Sequence, residues 1–188
     1  MPTLSEVSHA LYGAYRLAHF DRSGLAFFDP TVEGCRRSFA AALIVYPIFL
    51  LMLPIGATDE QWRSGFGCLV LSQSIAYVAD WAALPLIVIS VASRVGREAE
   101  AIGFVTVYNW SQVLQAAFLL ATTGIAGSGL LPPAGGMTVM LVAQIAVLAY
   151  QWFIARAAFN AAGLVATAVV LLASVLDAAF VNIALHVC

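Results

Sequence analysis

Two aspartates stand in unusual company. Asp80 lies in SIAYVADWAALPLIVIS, residues 74–90, and Asp177 lies in VLDAAF, each within an apolar run long enough to be a membrane helix. A carboxylate that faces hydrocarbon costs at least about 2.5–3.5 kcal/mol. Acids in such runs therefore point to one of three tasks: holding a solute, carrying protons, or joining helices. Uncharged polar side chains accompany them. VYNWSQVLQ contributes Asn109, Gln112 and Gln115, and a later run contributes Gln144 and Gln151. Ser72, Gln73 and Ser74 precede Asp80, and Ser174 lies one turn from Asp177. Asn109, Gln112 and Ala116 share one helix face by spacing, and so do Gln144 and Gln151. Turned inward, these faces give a bundle with a polar centre and a Leu/Val/Ile exterior. The candidate site is a polar midplane layer of Asp80, Asn109, Gln112, Gln144 and Asp177, serving either binding or helix contact. No Arg, Lys or His falls at that depth to neutralise the acids.

Other chemistry finds little footing. His9 and His19 precede the first apolar run and His186 ends the last, so the three cannot meet at one metal or haem. The sequence has no HExxH, GxSxG or phosphate-binding loop. The contexts VADWA and VLDAAF lack the GxGD and YD patterns of intramembrane aspartyl proteases. GIAGSG at 124–129 follows a membrane run and reads as a turn. Glu98 and Glu100 beside Arg94 and Arg97 read as a solvated ion-pair loop. Cys35, Cys68 and Cys188 form no CxxC and read as small apolar residues. The aromatic residues Tyr77, Trp81, Tyr108, Trp110, Tyr150 and Trp152 flank the polar layer, as helix packing more readily than as a ligand cage. The sequence leads us to expect no enzyme activity, cofactor or metal.

The elements that must position the acids follow from composition. Of 188 residues, 62% are apolar and 10% charged, with a mean hydropathy of +0.94. A soluble domain carries about 25% charged residues, so this chain belongs in a bilayer. Five apolar runs reach the roughly 20 residues that a spanning helix needs: about 39–57, 66–93, 101–124, 137–159 and 163–187. The alternating ten-residue segments of a barrel are missing. Pro47, Pro54 and Pro85 fall inside runs and each removes a backbone hydrogen bond. Asp80 and Asp177 are each about 14 residues from the same end of their helices, roughly 20 Å at 1.5 Å per residue. The expected fold is an all-α integral membrane protein: a five-helix bundle, residues 39–188, preceded by an N-terminal segment, residues 1–38.

All eight basic residues are Arg. With the N-terminus in the cytoplasm, Arg16, Arg22, Arg36, Arg37, Arg94, Arg97 and Arg156 lie inside and Arg63 alone outside, as the positive-inside rule asks. No cleavable signal is expected in residues 1–20. The C-terminus is expected in the periplasm, with almost nothing beyond the fifth helix. An Arg-only, Ala-rich composition fits a bacterium with GC-rich DNA, and hence an inner membrane. In the first 38 residues, Leu4, Val7, Leu11, Ala14, Tyr15 and Ala18 recur at helical spacing. The segment is expected to lie in the interface or against the inner ends of the spans, with docking of a cytosolic protein as the alternative. Asp29-Pro30 reads as a helix start with Asp29 as its cap.

The third run, AIGFVTVYNWSQVLQAAFLL, sets an aromatic-polar step before a Leu-rich stretch. The fourth and fifth, AYQWFIARAAFNAAGLVATAVVLLASVL, join a Trp-containing helix to an Ala/Val/Leu helix through a basic-Ala turn. Over about residues 35–185 this texture, and the order of five spans after a cytosolic segment, resembles the bacterial Yip-domain membrane proteins. The resemblance implies five spans and transfers no functional residue. In eukaryotes that family is associated with vesicle traffic and small GTPases, a role the resemblance does not carry into a bacterium. The functional expectation is a non-enzymatic scaffold or accessory subunit acting through intramembrane helix contacts. The alternative is a small proton-coupled transporter or channel using the midplane site. Expected partners are membrane lipids and either further copies of the chain or a larger membrane complex, with no nucleic acid.

Overall fold

In the computed structural model of the protein the described residues are 1–56, 65–160 and 162–187, with the side chains of 56 and 185–187 outside that description. Residues 58–64 with Arg63, the side chain of His186, and Cys188 fall outside it. The helices are α1 (Leu4–Ala18), α2 (Val32–Ser38), α3 (Ala40–Gly56), α4 (Phe66–Arg94), α5 (Glu98–Gly127), α6 (Pro133–Ala158) and α7 (Gly163–Val187), with a 3-10 turn at Arg22–Phe27. Among the described residues, four helices are long and apolar enough to cross a membrane: Val32–Ile55, Phe66–Arg94, Pro133–Ala158 and Gly163–Ala184. The third expected run is also a helix, α5, but it is more polar. It buries Phe104, Val105, Thr106, Asn109, Trp110, Ser111 and Gln115 among others. It touches α1, α2, α3, α4 and α6. A helix enclosed by protein can carry polar residues that a lipid-facing one cannot.

The packing order is a ring: α3 lies against α5, α5 against α6, α6 against α7, α7 against α4, and α4 touches α3 along a slight seam. The outer faces are apolar and exposed, among them Leu43, Leu71, Ile75, Val78, Leu86, Leu141, Ile145 and Val175. Such continuous apolar surface is suited to lipid and not to water.

The arginine-bearing end of the ring is tied by helix caps. Helix α4 stops in a Schellman turn: Arg97 N–H donates to Ala92 O at 2.9 Å and Gly96 N–H to Ser93 O at 3.3 Å, with Gly96 at φ +72°. That turn aims Arg97 at the end of α6, where its Nη2 donates to Phe159 O at 2.5 Å. Arg22 donates to Ala157 O and to Asn160 Oδ1 at the same helix end. Guanidinium groups there meet unpaired carbonyls and the negative end of the helix dipole. Glu98 and Glu100 occupy the first turn of α5, where the dipole favours acids.

Helix α1 begins at Thr3, whose Oγ1 accepts from Glu6 N–H at 3.2 Å. It packs on α5 and α6, and its buried residues are Ala10, Gly13, Ala14 and Leu17. This differs from the face expected from the sequence. Leu4 is 90% and Tyr15 53% exposed, whereas Ala14 is fully buried. Close approach selects the small side chains beside Leu17, while Leu4 and Tyr15 turn outward. The second helix start also differs. Thr31, not Asp29, caps α2, its Oγ1 accepting from Gly34 N–H at 3.1 Å. Asp29 Oδ1 accepts from Thr31 N–H, and Oδ2 pairs with Arg37 at 2.8 Å. The Thr31 hydrogen bonds, and then Arg37, hold the Asp29 carboxyl below its ordinary range.

Asp21 caps the 3-10 turn. Its Oδ1 accepts from Ser23 N–H at 2.9 Å and from Ser23 Oγ at 2.6 Å, and its Oδ2 pairs with Arg16 at 2.5 Å. The Ser23 bonds first, and Arg16 with them, lower its pKa from 3.8 to about 2. The ionised form is thus favoured by folding. Its contribution to stability is present in full above the unfolded value of 3.8 and is lost as pH falls through about 2. A carboxyl-carbon NMR titration is expected to show Asp21 changing near pH 2, and a midpoint near 4 would show the cap to be unformed.

Candidate functional site

Between the five ring helices lies a cavity of about 370 Å³. Every ring helix contributes. Helix α3 supplies Val45, Phe49 and Met52, and α4 supplies Gln73, Tyr77, Asp80 and Trp81. Helix α5 supplies Tyr108, Gln112, Gln115 and Ala116. Gln144, Val147 and Gln151 come from α6, and Ser174, Asp177 and Phe180 from α7. Asp80 and Asp177 sit close enough for the charge of one to act on the other. No Arg, Lys or His appears among the described lining residues.

The cavity does not run the length of the bundle. On the arginine side the ring is filled by a cluster that includes Leu84, Val88, Ala101, Phe104, Ile154 and Phe159. The rings of Phe104 and Phe159 are 4.9 Å apart. Towards the opposite end, Met52, Leu119, Gln144 and Val181 reach the wall of the cavity. Asp177 and Gln144 are exposed, so the polar chamber is open while its arginine side is plugged.

Four of the five expected site residues come together here: Asp80, Gln112, Gln144 and Asp177. Asn109 does not. It is 1% exposed, and its Nδ2 donates to Ser38 Oγ at 2.9 Å, away from the cavity. Ser38 in turn donates to Cys35 O at 2.7 Å. Asn109 therefore joins α5 to α2. Helical spacing groups Asn109 with Gln112 and Ala116, but at the level of Asn109 the neighbour on that face is α2, whereas from Gln112, one turn on, it is the cavity.

Gln115 is 3% exposed. Its Oε1 accepts from Gln151 Nε2 at 3.0 Å, and its own Nε2 has no partner among the described residues. An unpaired buried amide N–H costs about 1–3 kcal/mol, and Gln115 is among the residues that line the chamber. The aromatic residues divide. Tyr77, Trp81 and Tyr108 line the cavity. The Tyr77 hydroxyl donates to Ala42 O at 2.7 Å, which spends its hydrogen on α3. Trp110 is buried in the core. Tyr150 OH donates to Ala14 O at 2.8 Å and lies 3.1 Å from Ser111 Oγ, which clasps α1 to the bundle. Trp152 Nε1 donates to Thr167 Oγ1 at 3.1 Å, joining α6 to α7. The α3 wall, Val45 with Phe49 and Met52, carries no polar signal that sequence reasoning could have used.

Cys35 is a buried free thiol. Cys68, at the start of α4, is disulfide-bonded, unlike the inert apolar role expected for it.

Comparison of the chain with protein-family models, with curated proteins and with solved structures found no match. The Yip-domain resemblance accordingly rests on helix order and sequence texture.

Proposed function

We propose that the chain is a five-span protein of the bacterial inner membrane that holds a small polar solute in its central cavity, as a proton-coupled transporter does. The observation that carries this reading is the cavity itself: five helices place two carboxyls and five glutamines around an open space plugged on one side only. Residues whose task was only to join helices would spend their hydrogen bonds on one another, as Asn109 does with Ser38. A one-sided opening is what a solute site needs in one state of alternating access. Two independent features support its orientation. The arginines gather at the plugged end, which the positive-inside rule assigns to the cytoplasm. Cys68 is in a disulfide near the other end, as suits an oxidising periplasm. The cavity then opens outward.

Access tests the reading. With Ala116, which lines the chamber, replaced as Ala116→Cys, a membrane-impermeant thiol reagent added to the periplasmic face is expected to label the site within about tenfold of the rate of an exposed cysteine. No labelling in folded protein would mean a sealed or dry cavity and would remove the proposal.

A second reading keeps the accessory-subunit function. It is favoured by the exposure of Asp177 and Gln144, which an unlike helix laid across α6 and α7 would cover. Affinity purification from native membranes with mass spectrometry separates the two. A stoichiometric unlike subunit, with protection of the site at 116 in its presence, selects the accessory role.

A further inference from the structure

We infer that the cavity takes an organic ammonium ion that also carries a hydrogen-bond acceptor, with Asp80 and Asp177 as its counter-ions and Gln115 as the donor to its acceptor. The inference rests on the solute-cavity reading and names the class of ligand. Three features of the wall lead to it.

The first is charge. The described lining residues include two acids and no base. A carboxylate removed from water requires a partner of opposite sign or its own proton, and none of the described residues lining the cavity is a cation. A cationic occupant completes the site. The second is Gln115. Its Nε2 is buried and unpaired while its Oε1 is engaged by Gln151. The missing partner is an acceptor such as a hydroxyl or carbonyl oxygen, which a simple alkylammonium lacks. The third is the surface between the polar groups. Phe49, Tyr77, Trp81 and Tyr108 present rings to the chamber, and with the Tyr77 hydroxyl turned to Ala42 O its ring is what remains. Aromatic faces attract organic cations and accept a carbon stem. A bare metal ion fits less well, since hard cations ask for about six to eight oxygen ligands and much of this wall is carbon. The volume, about 370 Å³, is near the lower end of the range for small-molecule pockets, which favours a compact amine.

The same chemistry occurs in a free amino alcohol and in an ethanolamine lipid headgroup. The test uses ethanolamine as the probe, with full-length protein in phosphatidylcholine nanodiscs and equilibrium dialysis as the readout. Ethanolamine is expected to bind saturably with a Kd below about 1 mM, and neither ethylene glycol, its neutral analogue, nor sodium is expected to compete. Asp80→Asn and Asp177→Asn are each expected to weaken binding about tenfold or more. Gln115→Leu is expected to weaken ethanolamine and leave ethylamine unchanged, a split that general damage to the fold would not give. Replacing the lipid with phosphatidylethanolamine identifies the source: competition with the probe indicates a headgroup, and none indicates a soluble amine. No saturable binding to folded wild type would overturn the inference, as would equal binding of ethylene glycol. So would an unchanged Kd in both Asp177→Asn, whose exposed position tolerates the change, and Asp80→Asn. If reagent still reaches the cysteine at 116 in any of these cases, the open cavity stands and only the ligand class falls.

Discussion

Phe104→Ala is expected to destabilise the protein by about 2–3 kcal/mol and to unplug the arginine side of the cavity. Phe104 is 1% exposed, and its ring contacts those of Phe159 at 4.9 Å and Tyr108 at 5.6 Å. In a water-soluble protein, truncating such a residue costs about 3–5 kcal/mol, part from transfer out of water and part from the cavity left behind. Here the surrounding solvent is lipid, as apolar as the phenyl ring, so the cavity part dominates and the expectation falls below that range. The functional effect is directional. Tyr108 lies at the boundary between plug and chamber, lining the cavity and packing on Phe104. Removing the ring beneath it joins the chamber to the arginine end. In everted vesicles, Ala116→Cys is expected to resist an impermeant reagent in an otherwise unaltered protein and to react in the Phe104→Ala background. Thermal unfolding in detergent gives the stability change. A variant that loses stability yet stays sealed would show that other residues of the cluster, such as Leu84 or Ile154, close the bundle.

The positions of the helices were largely legible. The apolar runs at 39–57, 66–93 and 163–187 match Ala40–Gly56, Phe66–Arg94 and Gly163–Val187 within a residue, because a lipid-facing helix must be apolar along its whole length. The other two helices extend further than their runs. Glu98 starts α5 ahead of residue 101 because acids suit a helix N-terminus, and Pro133 starts α6 ahead of 137 because proline suits the first turn. Neither extension leaves a mark in hydropathy.

Depth was legible for the acids and face was not legible for the amides. Asp80 and Asp177 were matched by counting residues from helix ends, and both line one cavity. Asn109 makes a helix contact and does not line the cavity, because a helix with several protein neighbours has no single inward face. On α5, Asn109 meets α2, Ser111 meets Tyr150, and Gln112 meets the cavity. Periodicity distinguishes protein from lipid, not one protein neighbour from another. The buried face of α1 was hidden for a related reason: small residues pack closely, and a hydropathy pattern ranks Ala10 and Gly13 below Leu4 and Tyr15, which turn outward.

That close packing sets the last expectation. Gly24→Ala is expected to release the N-terminal segment from the bundle while leaving the ring helices folded. A Cβ at position 24 would stand 2.6 Å from Gly13 O and 3.0 Å from Leu17 Cγ. Its first obstacle is backbone, which cannot rotate aside. Gly13 is hemmed in from the other direction, with Phe28 Cε2 at 2.6 Å and Gly24 O at 2.9 Å from an added Cβ. The two glycines thus let α1 and the 3-10 turn touch backbone to backbone, and overpacking there costs about 1–3 kcal/mol. Separation of the two strips the Arg22 contacts to Ala157 O and Asn160 from the end of α6. It also draws Ala14 O away from Tyr150. A cost of about 2 kcal/mol raises the opened population of the segment about 30-fold. Limited proteolysis in nanodiscs is expected to cut residues 19–30 faster by about that factor in Gly24→Ala. The exposed control Ser8→Ala is expected to leave the rate unchanged. Because α1 packs on α5 and α6, two helices that wall the cavity, the same variant asks whether the segment restrains the chamber. Faster labelling of the cysteine at 116 once α1 is released would make the N-terminal segment a clamp on the site, and an unchanged rate would confine its role to holding the arginine end together.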